Sequence, residues 1–138
     1  MKLVPFDQSF QLFNSLVNDL LPATEDTFRP ALTIVDHEDR FVIECDLPGL
    51  ALEDIHLEVH NGILEISGER QRHEVSKEST VRFDERVWTS FQRRIRLDKS
   101  VDTTAISADY QNGVLVVTAP RLAESLPHKV TIRRPDAD

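Results

Sequence analysis

Two Asn-Gly dipeptides, Asn61-Gly62 and Asn112-Gly113, each sit between extended runs, the first preceded by apolar and polar side chains in alternation and the second flanked by β-branched residues. Asn-Gly takes positive φ at both central positions of a two-residue turn more readily than other pairs, so each dipeptide predicts a tight antiparallel hairpin. Before the first, Ile55, Leu57 and Val59 alternate with His56, Glu58 and His60; after it, Ile63 to Ser67 pairs back. The second joins Thr104 to Gln111 with Val114 to Ala119. Further extended runs are Leu32 to Val35, Phe41 to Leu47 and Phe91 to Leu97. Within Phe41 to Leu47, Phe41, Ile43 and Cys45 share one face while Val42, Glu44 and Asp46 share the other. Pro48-Gly49 breaks that run, and Glu53-Asp54 begins a turn. Short strands at this spacing, punctuated by turn residues, predict an all-β chain with an immunoglobulin-like antiparallel β-sandwich over residues 31–120.

The segments flanking the sandwich are of a different kind. Over residues 1–30, Phe6, Phe10, Phe13, Val17 and Leu20 recur at alternating four- and three-residue steps, and Pro22 stops the pattern. That spacing predicts an amphipathic arm. A helix so short is marginal alone in water, so its stripe must cover a surface on its own domain, a neighbouring subunit or another protein. Residues 121–138 form a linker that carries Val130-Thr131-Ile132, whose two aliphatic side chains project to the same side of an extended segment. Pro120 and Pro127 hold this segment away from the domain, free to enter a groove elsewhere. Inside the domain, residues 69–90 are a long polar interval, a feature that is usually functional or disordered in a compact unit. Near its far end Val81, Phe83, Val87 and Trp88 predict a short strand, and Phe83 and Trp88 need cover that a solvated loop does not provide.

Composition narrows the function. The net charge of −8 argues against nucleic acid, whose phosphates need a basic footprint, and against anionic membrane surfaces. No apolar run approaches the length of about 18 to 20 residues that spans a membrane, and no signal-peptide apolar region follows Met1-Lys2, so a cytoplasmic address is expected. A single cysteine excludes an internal disulfide, and Cys45 reads as a buried small hydrophobe. Arginine is concentrated between Arg70 and Arg96, whereas residues 36–54 are acidic; this asymmetry suits subunit pairing or a pair of solvated faces.

No active site is expected. The sequence contains no G-x-S-x-G elbow, no phosphate-binding glycine loop, no H-E-x-x-H and no cysteine cluster. His56 and His60 have the four-residue spacing that converges on one ion from a helix, but strand alternation separates them by roughly 13 Å, so neither metal nor cofactor is expected.

The run Ala108-Asp109-Tyr110-Gln111-Asn112-Gly113-Val114-Leu115 followed by Val130-Thr131-Ile132 resembles the small heat-shock proteins, whose α-crystallin domain ends in an A-x-x-x-N-G-V-L hairpin and whose tail carries an I/V-x-I/V motif. Asp46-Leu47-Pro48-Gly49-Leu50, Glu53-Asp54-Ile55, Leu64 to Arg70, Glu85-Arg86, Phe91-Gln92-Arg93 and Leu97 extend the match in order. Thr89 and Asp98 stand where bacterial and plant members usually have glycine and proline. The resemblance implies an ATP-independent holdase that binds unfolding client proteins as a homodimer assembled into a larger homo-oligomer. Carried onto this chain, the arm contacts clients, and Val130 and Ile132 anchor in a groove between the strand of Ile55, Leu57 and Val59 and that of Ile106 and Ala108. The 71–90 loop, with Phe83 and Trp88, crosses to the partner subunit. Arg93 stabilises the dimer interface; read from the residues alone, it is an ordinary exposed strand arginine. A monomeric co-chaperone-like adaptor is the alternative, and it needs neither the tail nor the long loop.

Overall fold

The structure, a computed structural model, describes residues 28–136; the arm residues Phe6, Phe10, Phe13, Val17 and Leu20 lie outside the described residues. Seven strands follow in order: β1 (Leu32–Asp36), β2 (Arg40–Asp46), β3 (Ile55–His60), β4 (Ile63–Glu69), β5 (Ser90–Arg96), β6 (Ser107–Gln111) and β7 (Val114–Pro120). They form a four-stranded sheet of order β1-β2-β7-β6 and a three-stranded sheet of order β3-β4-β5, antiparallel throughout.

Both Asn-Gly dipeptides turn as their chemistry requires. Asn61 and Gly62 have φ of 50° and 73°, Asn112 and Gly113 of 55° and 76°. This double left-handed conformation fits the right-handed twist of the strands it joins. The registers place His60 opposite Ile63 and Gln111 opposite Val114, directly flanking the turns.

With the turns fixed, alternation decides which side chains meet. Ile43, Cys45 and Leu47 from β2 and its end, Leu115 and Val117 from β7, Leu64 and Ile66 from β4, and Phe91 and Ile95 from β5 fill one core between the sheets. The central strands β2, β4 and β7 supply much of the buried set, and the edge strand β5 adds Phe91 and Ile95 from its inward face. Gly68 shows how closely the elements approach: a Cβ there would lie 2.2 Å from the Asp54 carbonyl oxygen and 2.8 Å from the Phe91 ring. The Leu47-Pro48-Gly49-Leu50 turn is locked to the second hairpin. Leu47 N–H donates to the Gly113 carbonyl at 2.7 Å, and the Tyr110 hydroxyl lies within hydrogen-bonding reach of the Leu47 and Leu50 carbonyls, at 2.7 and 3.0 Å.

Two elements differ from expectation. β6 begins at Ser107 and not at Thr104, because the Asp102 carboxylate accepts from both the backbone N–H and the hydroxyl of Thr104, and Ala105 N–H returns to the Asp102 carbonyl. This local turn competes successfully with strand pairing. The strand expected around Val81 to Trp88 is absent: residues 70–89 form no strand, since a strand needs an edge to pair with and this segment pairs with none among the described residues.

Candidate functional site

β3 and β6, the strands expected to border a groove, are each an edge of their sheet. On β3, Ile55, Leu57 and Val59 are half-buried against the core while His56, Glu58 and His60 face solvent; ahead of β6, Ile106 is also half-buried against the core, and Ala108 is exposed. Both strands therefore combine an unpaired backbone edge with apolar side chains that their own core covers only in part.

The large apolar side chains that the chain leaves most open are elsewhere. Among the described residues these are Ile132, Phe83 and Val130, which are 94%, 81% and 72% exposed. Two belong to the V-x-I tail and one to the long loop. Large apolar side chains left this open on extended segments are candidates for burial against another surface.

The loop holds its shape through polar and cation–π contacts. Arg72 pairs with Asp84 at 2.8 Å, and the Trp88 indole N–H donates to the same carboxylate at 2.9 Å. The indole hydrogen bond, foremost, holds the Asp84 carboxyl below its ordinary range. The Arg86 guanidinium lies 4.2 Å from the Trp88 ring centroid, and Arg70 lies 5.8 Å from it and 5.3 Å from that of Phe28. Trp88 is consequently half-buried, whereas Phe83 is not covered. Thr89 needs no special backbone: the only non-glycine residues with positive φ among those described are Asn61 and Asn112.

Arg93 is not an exposed strand arginine; at 7% exposure it is the one buried charged side chain among the described residues, and it donates to the Pro30 carbonyl at 2.6 Å. It lies on the inward face of β5 between Phe91 and Ile95 and reaches across to the segment that enters β1. Burial pushes its guanidinium below the ordinary arginine value, and Arg29 adds to the effect. A hydrogen-bonded charge at such a site fixes the position of its partner segment, because losing that bond would strand the charge in the core. Cys45 is fully buried, and desolvation pushes its thiol up to about 12. A thiol reagent at neutral pH should accordingly leave Cys45 unmodified in the native protein and react as denaturant unfolds it; rapid native-state labelling would contradict this burial.

His56 and His60 are exposed on β3, and His60 contacts the Asn61 side-chain amide at 3.2 Å; among the described residues no cluster of three or more potential metal ligands is present. Sequence reasoning missed Tyr110, whose hydroxyl pins the Leu47–Leu50 turn, and Arg121, which joins three segments at the root of the tail. An aromatic residue just before an Asn-Gly turn was the available signal for the first; the second carried none.

A sandwich of two antiparallel sheets carries its most exposed large apolar side chains, among the described residues, on a tail and a loop. A sequence profile of the Hsp20/alpha crystallin family matches residues 33–133, and the chain belongs to that family, the small heat-shock proteins. It is 30% identical over 111 residues to small heat shock protein C2 of Rickettsia felis, covering 80% of this chain and 72% of that one. It is 33% identical over 129 residues to the 16.9 kDa class I heat shock protein 3 of rice, covering 89% of this chain and 87% of the relative. Among solved structures, heat shock protein 16.0 from Schizosaccharomyces pombe superposes with a TM-score of 0.67 at 30% identity, covering 78% of this chain and all (100%) of that one. A small heat-shock protein from Xylella fastidiosa, whose crystal structure reveals a distinct high order structure, gives 0.65 at 33% identity over 78% of this chain and 98% of that one. Family membership carries a chaperone role in the stress response; small heat-shock proteins are chaperones and not enzymes.

Proposed function

We propose that this chain is an ATP-independent holdase that binds partly unfolded proteins and keeps them from aggregating. The observation that carries the reading is the exposure of Ile132, Phe83 and Val130, the same side chains that the sequence marks for association. Dimers form through the 71–90 loop with Arg93 bracing the interface, and larger assemblies form when Val130 and Ile132 enter a neighbour's groove lined by Ile55, Leu57, Val59, Ile106 and Ala108. Clients bind the arm carrying Phe6, Phe10, Phe13, Val17 and Leu20. Protection then follows mass action: bound client is removed from the pool of sticky species without a covalent step.

Near stoichiometric subunit ratios and without nucleotide, the purified protein should suppress light scattering by a heat- or reduction-unfolded model protein. Removal of residues 1–21 should diminish this protection more than it diminishes dimer formation. A requirement for ATP, or unchanged client scattering at several-fold excess, would refute the holdase, and full protection by the truncated protein would move the client site onto the sandwich. Solution mass separates this reading from a monomeric adaptor, which would scatter as one chain.

A further inference from the structure

The tail leaves the sandwich at a point that one side chain holds in place. β7 ends at Pro120, and the Arg121 guanidinium then reaches two separate stretches of chain, 36–38 and 98–100. Its Nε donates to the Glu38 carbonyl at 3.1 Å, Nη2 pairs with the Asp36 carboxylate and lies 3.3 Å from the His37 carbonyl, and Nη1 donates to Ser100 Oγ at 2.8 Å with the Asp98 carboxylate 3.8 Å away. The group also stacks 4.2 Å from the Phe41 ring centroid. The backbone agrees: Arg121 N–H donates to the Asp39 carbonyl at 2.9 Å and Leu122 N–H to the Ser100 carbonyl at 2.6 Å. A planar fork with fixed donors satisfies carbonyls, a hydroxyl and a carboxylate together; a lysine ammonium at this place has the charge but not the geometry.

We infer that Arg121 is a positioning residue for assembly: by clamping the β1–β2 turn and the 98–101 loop to the root of the tail, it fixes the point and direction from which Val130 and Ile132 search for a neighbour's groove. The inference rests on the proposed tail latch. Past Arg121 a single 3-10 turn, Ala123–Ser125, and the half-buried Leu126 complete the root, and every described residue from Pro127 onward is exposed. With the root held, the free tether runs from Leu126 to Val130 and reaches roughly 13 Å when extended. Released back to Pro120 it reaches roughly 33 Å, and because effective concentration falls about as the −3/2 power of tether length, each latch weakens about fourfold. A dimer contributes two such tails, so the loss per dimer is more than about tenfold.

Full-length R121A and R121K are compared with the wild type and with V130A/I132A by light scattering over a dilution series, subunit exchange and thermal melting. R121A is expected to dissociate into dimers at more than about tenfold higher total concentration and to exchange subunits correspondingly faster, while its melting transition as a dimer matches that of V130A/I132A. R121K should fall between, since it keeps the charge facing Asp36 and loses the carbonyl contacts. Adding R121A to V130A/I132A should change neither mass nor exchange, because no latch is left to position. If R121A does not fold, R121K carries the same comparison. The inference is overturned if V130A/I132A dissociates the assembly while R121A and R121K assemble and exchange like wild type, or if R121A further weakens the dimer of the tail variant. Assembly unaffected by V130A/I132A would remove the latch itself, a different failure.

Discussion

Shortening residues 71–87 to a tight turn is expected to yield a folded chain that no longer dimerises at micromolar concentration. Within one subunit these residues do little for the core: all are exposed, and Phe83 is 81% exposed. The core strands β2, β7 and β4 do not depend on the loop, so strand content should survive its removal. β1 and β6 end one sheet, β3 and β5 the other, and an unpaired edge is a template for a strand from a second chain. In a two-fold dimer each subunit donates the same element, so two loops are captured and each buries Phe83 and Trp88. Aromatic anchors contribute about 2 kcal/mol or more apiece, so losing Phe83 from both loops raises the dissociation constant by about a thousandfold. Trp88, the only tryptophan, reports the same event in the intact protein. Its emission should be blue-shifted in the dimer and move to the red on dilution, before far-ultraviolet circular dichroism loses its strand signal. A shortened-loop variant that still dimerises would show that pairing runs edge to edge through the sandwich, as in the animal branch of the family.

The hairpins were legible because Asn-Gly turns are a local property: four residues and their positive φ decide the register, and β3–β4 and β6–β7 follow. The core was legible because a period of two allows only one set of side chains inward, which put Ile43, Cys45 and Leu47 together and left Glu44 and Asp46 in solvent. The start of β6 was not, since whether Asp102 caps Thr104 or yields to strand pairing depends on a neighbouring edge that local sequence does not describe. The contacts that Arg93 and Arg121 make within the chain escaped for a shared reason. An arginine reads as solvated unless its acceptors are known, and here they include main-chain carbonyls: Pro30 for the first, Glu38 and His37 beside the side chains of Asp36 and Ser100 for the second. Carbonyls carry no side-chain signature, so contacts across 63 to 84 positions are invisible until the sheets bring the segments together. The exposure of the tail was legible in a different way: Val130 and Ile132 have no place in the sandwich's strand pattern and stand 72% and 94% exposed, whereas the strand read around Phe83 and Trp88 does not form.

Replacing Val130 and Ile132 with alanine is expected to convert the larger assembly into dimers with the β-rich fold intact. At 72% and 94% exposure neither side chain supports its own subunit, so the melting transition of the dimer should stay where it was. In a groove, each contributes about 1.5 to 3 kcal/mol, and ordering the linker offsets part of that. One latch is therefore weak, and a truncation that removes most of its apolar surface makes it negligible. An assembly held by many such latches responds steeply, because each dimer must keep several engaged at once and the loss multiplies over them. The same weakness predicts ready subunit exchange in the wild type: individual tails release often, and a dimer departs when its few contacts open together. Size-exclusion chromatography at micromolar concentration decides the matter. An unchanged elution volume for the double variant would refute the latch and leave the assembly to be explained by the arm or by the open edges of β3 and β6, whereas a shift to dimers with unaltered circular dichroism places the contact in the tail.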